Sequence, residues 1–176
     1  EYKKNQWIIE KKKLKKIKNI PSKTLDKKEI SLMANIEDLS DVKSVLDCKA
    51  SGIGLFRTEF LFMNRKELPG EQEQYETYKS IAKSMKGRTV VIRTLDSGAD
   101  KTTAADKSQA TNPALGLRAI RLCLSQPHLF ITQLRAILEV SAFGKIRILI
   151  PMLSSLEELK QVKLLIQRAK EALGVE

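Results

Sequence analysis

Only two cysteines occur in the 176-residue chain, Cys48 and Cys123, far apart and without metal-type spacing. That excludes a cysteine-held zinc site or a disulfide framework and leaves buried free thiols as the default, with no nearby support for a catalytic thiol. Histidine is scarcer still. His128 stands alone after Pro127, in a turn between two helical stretches, and reads as a structural or solvent-exposed side chain. No uninterrupted apolar stretch is long enough to span a bilayer, and the N-terminal residues carry no signal-peptide pattern. The expectation is a soluble, cytoplasmic protein with no membrane partner.

Lysine, by contrast, is abundant and unevenly placed. The net charge is +11, and residues 1–29 hold eleven Lys against four acids, a net +7. Through the same segment Trp7, Ile8, Ile9, Leu14, Ile17 and Ile20 recur at near-helical spacing. The pattern predicts an amphipathic helix with a lysine-rich wet face. A nucleic-acid site would have to lie here, but the segment lacks aromatic interleaving and a recognised motif, so no nucleic-acid partner is expected.

Beyond Pro21 and Ser22 the chain alternates. Apolar runs of strand length, "ISLMANI" (30–36), "GIGLFR" (52–57), "TVVIRTLD" (89–96) and "KIRILIPM" (145–152), are separated by helical patterns. Gly52, Gly87, Gly144 and Gly174 stand where helices stop; Asn112 and Pro113 are placed as a cap and a first helical residue, and Ser154 with Glu157 as a capping box. Continuous apolar strands alternating with helices argue for a parallel sheet covered by helices. "GIGLFR" lacks the third glycine of a dinucleotide-binding turn. The better template is a (β/α) barrel of TIM type, of which about four units are present where a closed barrel needs eight. A half-barrel has open edges and an uncovered inner face, so it should self-associate, be completed by another chain, or be part of a longer protein.

Arginine interrupts two of these strands at the same place. In "GIGLFRTE" and "VVIRTLD" an apolar run ends in Arg57 or Arg93, followed by Thr and then by Glu59 or Asp96. Strand C-terminal ends face the ligand mouth of a β/α barrel. Two guanidinium groups there would offer planar forks of donors to phosphate or carboxylate oxygens, with Glu59 and Asp96 as charge partners. The plainer alternative is that each arginine makes a structural pair with its own acid. Arg118, in "GLRAIR", falls in the helix after the third strand, and "DSGADK" (96–101) is a weak anion-loop signal.

Taken in order, "GIGLFRTEFLFMNR", "LPGEQEQYETYK", "RTLDSGADK", "NPALGLRAIR" and "QLRAILEVSAFGKIRILIPM" closely resemble enzyme I of the bacterial sugar phosphotransferase system, a phosphoenolpyruvate–protein phosphotransferase, from about Leu32 onward. Pyruvate phosphate dikinase and phosphoenolpyruvate synthase share the "GIGL-x-R-x-E" pattern. The resemblance implies the first half of a phosphoenolpyruvate-binding (β/α)8 barrel over residues 30–176, with residues 1–29 as the linker from a phosphohistidine domain. It also implies phosphoryl transfer from phosphoenolpyruvate to that histidine and on to the carrier HPr, with Mg2+ as cofactor; the open edges make a homodimer the expected assembly. Arg57 and Arg93 match substrate-phosphate arginines of the family, and Arg118 a further one. The family's metal carboxylates and proton-donor cysteine are implied to lie in the other half of the barrel. Neither Cys48 nor Cys123 matches that cysteine, His128 does not match the phosphohistidine, and no catalytic residue or metal ligand is assigned in this chain. One departure is local: the usual "GGDK" reads Gly98-Ala99-Asp100-Lys101 and is followed by "TTAADKSQAT". An alanine where the backbone needs positive φ implies an altered loop. The alternative is a non-catalytic, degenerate half-barrel acting as an interaction or dimerisation module.

Overall fold

The computed structural model describes residues 2–63, 65, 67–98 and 116–175. Four strands, β1 (Ala34–Ile36), β2 (Gly52–Arg57), β3 (Thr89–Arg93) and β4 (Ile146–Leu149), form one sheet in sequence order with every pair parallel. Among the described residues the helices are α1 (Tyr2–Ile17), α2 (Asp41–Asp47), α3 (Glu59–Phe62), α4 (Glu71–Ser84), α5 (Ala119–Ser125), α6 (Pro127–Val140) and α7 (Leu156–Leu173), with a 3-10 turn at Ser141–Phe143. Strand order 1-2-3-4 means every crossover advances in the same direction, which puts the intervening helices on one face. The burial agrees: Ile36, Phe56, Val90 and Ile92 pack into a core with Val42 and Val45 of α2, Ile81 of α4 and Ile137 of α6. A second core joins Ile120 and Leu122 of α5, Phe130 and Leu134 of α6, and Val162 and Leu165 of α7.

Among the described residues, no element covers the opposite face of the sheet. Asn35 and Arg147 are exposed on it, and Val91 and Leu149 only half-buried. Side chains alternate across a strand, and Val91 pairs with Arg147 as Arg93 pairs with Leu149, so these residues share that face.

Several expected boundaries move. The first strand shrinks from 30–36 to Ala34–Ile36, with Ile30 and Leu32 exposed. Gly52 is not a helix stop but the first residue of β2. A Cβ there would meet the Thr89 carbonyl oxygen at 2.5 Å, so glycine allows β2 to approach β3. The capping box at α7 sits one residue later than expected: Glu158 N–H donates to Ser155 Oγ (3.1 Å), and Ser155 N–H donates back to Glu158 Oε2 (3.1 Å). Gly174 takes the left-handed cap, φ 66°, expected of it. Pro127 does separate two helices, but as the first residue of α6, which leaves His128 exposed in that helix's first turn.

The N-terminal helix forms, but it is not amphipathic in its packing. Trp7, Ile9, Leu14 and Ile17 are all exposed, as is every other described side chain on α1. Lysines at 3, 12, 13 and 16 interleave with these residues around the helix, so no apolar stripe faces the sheet. Cys48 also departs from expectation. It caps α2 beyond the buried Val42–Val45 face and is exposed, whereas Cys123 is buried as expected, and burial pushes its thiol up to about 12.

Candidate functional site: an arginine–carboxylate cluster at the strand ends

β2 and β3 end level. Arg57 and Arg93 are the last residues of their strands and are register partners, so both leave the sheet on its open face. Arg57 is therefore still in the ladder, not just past it.

Their charge partners differ from the sequence expectation. Arg57 Nη1 donates to Glu37 Oε1 at 2.9 Å, not to Glu59. Ile36 pairs with Phe56, which brings Glu37, the first residue after β1, beside Arg57. Glu59 opens α3 and turns instead to the neighbouring strand, where its Oε1 lies 2.9 Å from Arg93 Nη2. Arg93 Nη1 lies 3.0 Å from Asp96 Oδ2, the partner expected for it. Asp96 also meets Arg118: Arg118 Nη2 lies 3.9 Å from Asp96 Oδ1 and donates to the Asp96 carbonyl oxygen at 3.3 Å. Arg118 is not within the helix after strand three. It immediately precedes α5, bridges back to Gly98, and the next N–H, Ala119, donates to Ser97 O at 3.1 Å. The remaining loop, 99–115, with Ala99, Asp100, Lys101 and the expected Asn112–Pro113 cap, lies outside the described residues.

Three guanidinium groups thus face three carboxylates in two unlike settings. Arg93, Glu59 and Asp96 are 21%, 11% and 18% exposed, whereas Arg57 and Glu37 are 42% and 44% exposed. Among the described residues, the buried side-chain atoms without a hydrogen-bond partner are Glu59 Oε1, Arg93 Nε, Asp96 Oδ1 and Arg118 Nε. The Glu59 and Asp96 oxygens touch guanidinium nitrogens as ion pairs outside hydrogen-bond geometry. Unused polar capacity thus concentrates at this one place, as it does at functional sites.

Behind the arginines a buried polar network fixes the strand ends. Thr58 Oγ1 donates to the Arg93 carbonyl oxygen at 2.8 Å, tying the β2 exit to β3. Gln133 of α6 donates through Nε2 to Thr58 Oγ1 (3.1 Å) and Tyr78 Oη (3.2 Å), and its Oε1 accepts from Leu95 N–H (2.9 Å). Tyr78 in turn donates to Gln74 Oε1 at 3.1 Å and packs edge-on against Phe56, centroids 5.8 Å apart. Burial pushes the Tyr78 phenol well above its ordinary range. One glutamine therefore joins β2, β3, α4 and α6 just beneath the guanidinium groups.

The residues from 11 to 176 match the family described as PEP-utilising enzyme, PEP-binding domain. The chain belongs to this family. It is 49% identical over 176 residues to the phosphoenolpyruvate-protein phosphotransferase of Cupriavidus necator, covering 98% of this chain and 30% of that protein. Identity to the Staphylococcus carnosus protein of the same name is 44% over 169 residues, covering 96% of this chain and 30% of that protein. For a Staphylococcus aureus relative it is 42% over 172 residues, covering 97% and 30%. The chain therefore spans about 30% of the length of the curated relatives it matches.

For this PEP-utilising-enzyme chain, sequence reasoning named the arginines but missed Glu37, Thr58 and Gln133. Gln133 carried a signal: it is a polar residue on the apolar stripe of α6, between Phe130 and Ile137. Glu37 carried a weaker one, as an acid directly after an apolar run. Cys48, Cys123 and His128 are not among the residues that meet in the cluster. Among the described residues no group of three or more His, Cys, Asp or Glu could hold a metal ion. Glu37, Glu59 and Asp96 are each committed to an arginine, so the described residues do not fit a Mg2+ ligand set.

Proposed function

We propose that this chain is the first half of a phosphoenolpyruvate-binding (β/α)8 barrel of TIM type in a phosphoenolpyruvate–protein phosphotransferase, and that Arg57, Arg93 and Arg118 hold the substrate phosphate. The observation that carries this reading is the level placement of Arg57 and Arg93 at the ends of neighbouring parallel strands, with Arg118 joined to Arg93 through Asp96. Phosphoryl transfer spreads charge over the equatorial oxygens, and fixed guanidinium donors stabilise it without reorganising. Arg93, held on both sides, serves as the rigid donor; Arg57, half-exposed, is the one that swings onto the ligand.

In the longer protein the phosphoryl group would pass to a histidine outside this chain and on to HPr, in sugar uptake in the cytoplasm. Mg2+ and its ligands would belong to the other half of the barrel, and residues 1–29 would act as the linker. The chain alone is expected to bind phosphoenolpyruvate weakly and not to turn it over. Calorimetry of phosphoenolpyruvate against wild type and Arg57→Ala tests the clamp. The expected loss is about tenfold or more, the scale of a charge-assisted hydrogen bond. Equal binding would remove Arg57 from the site.

A second reading follows from the open sheet face, where Asn35 and Arg147 are exposed. A half-barrel of this kind can serve as a dimerisation module without catalysis. Sedimentation equilibrium showing a homodimer that binds no phosphoenolpyruvate would favour it.

A further inference from the structure

We infer that Glu37 is a built-in competitor for the phosphate, a carboxylate that must leave Arg57 before an anion can take that guanidinium. This rests on the proposed phosphoenolpyruvate reading of the cluster. Arg57, Arg93 and Arg118 are matched in charge by Glu37, Glu59 and Asp96, so an entering dianion finds every guanidinium already paired, with Arg93 Nε and Arg118 Nε as the unused donors. For a whole guanidinium fork to turn to the anion, one carboxylate has to yield. Glu59 and Asp96 are 11% and 18% exposed and hold Arg93 from both sides, so releasing either leaves a charge poorly solvated and Arg93 unaimed. Glu37 is 44% exposed, and among the described residues its carboxylate has one polar contact to release, its 2.9 Å pair with Arg57. An ion pair this open is weak, and the freed carboxylate returns to water.

The loop is built so that the Glu37 side chain can move alone. Its backbone is held by Asp41, whose Oδ2 accepts from Glu37 N–H at 2.9 Å and Asp38 N–H at 3.3 Å, and by Asp38 Oδ1, which accepts from Ser40 N–H at 2.6 Å. None of these bonds uses the Glu37 carboxylate. Glu37 therefore lowers the affinity of any anion that takes Arg57, by the factor that its own pair with Arg57 is worth.

The test titrates phosphoenolpyruvate into the full chain as wild type, Glu37→Gln and Glu157→Gln. The last removes the same charge from the remote pair with Lys160 on α7. The expected result is about two- to fivefold tighter binding for Glu37→Gln alone, the scale of an exposed ion pair. Pyruvate, which lacks the phosphate that Arg57 is proposed to hold, should gain less from the substitution than phosphoenolpyruvate does. Equal or weaker binding by Glu37→Gln, or equal tightening by Glu157→Gln, overturns the competitor role while leaving the phosphate site standing. Absence of binding by all three folded proteins overturns the phosphate site, and this inference with it.

Discussion

Arg57 and Arg93 end neighbouring strands, yet removing them should have unequal consequences for stability. Arg57→Ala breaks one exposed pair and should change the urea midpoint by no more than about 1 kcal/mol equivalent. Arg93→Ala strands two largely buried carboxylates, Glu59 and Asp96, and should cost about 2–4 kcal/mol. Comparing the two midpoints at unchanged m-value checks the assignment of Arg93 as the fixed member. The cysteines give a second contrast. At pH 8 the exposed Cys48 should react with a disulfide reagent in the native protein. Cys123, its thiol pushed up to about 12 by burial, should react only as the chain opens.

Helix α6 acts as a strut through Gln133. Gln133→Leu keeps the shape but leaves the Leu95 N–H without its acceptor, a loss of about 1–3 kcal/mol in urea unfolding. Thr58 and Tyr78 keep their other bonds, to Arg93 O and Gln74, so the loss should not spread further. At α7, hydrogen bonds from the Ser154 backbone and its neighbours hold the Glu158 carboxyl below the usual carboxylate range. Its capping contribution is therefore present above the ordinary Glu pKa and is lost as pH falls through the depressed value. The acid limb of a stability–pH profile should be flatter in Glu158→Gln than in wild type.

The molecule as a whole is lopsided: one sheet face is covered by helices, the other is open, and α1 carries exposed side chains throughout its described length. Deleting residues 1–16 removes no member of either core and should leave the melting temperature within about 2 °C, a shift corresponding to about 0.5–1 kcal/mol for a domain of this size. A larger drop in differential scanning calorimetry would mean that α1 is packed in solution.

The four-unit alternation, the parallel sheet and the arginines at strand ends were all legible in the amino-acid sequence. They depend on local periodicity and on where an apolar run stops, and both are written along the chain. The pairing of charges was not. Glu59 is two residues from Arg57 yet serves Arg93, while Glu37, twenty residues away, serves Arg57. Parallel register sets residues from different strands side by side, and a short helix after β2 turns Glu59 across the ladder, so sequence proximity misleads. The lysine-rich helix shows the same limit from the other side. Periodicity predicted an amphipathic helix, but an apolar face is buried only where another element meets it, and the described side chains of α1 all stay exposed.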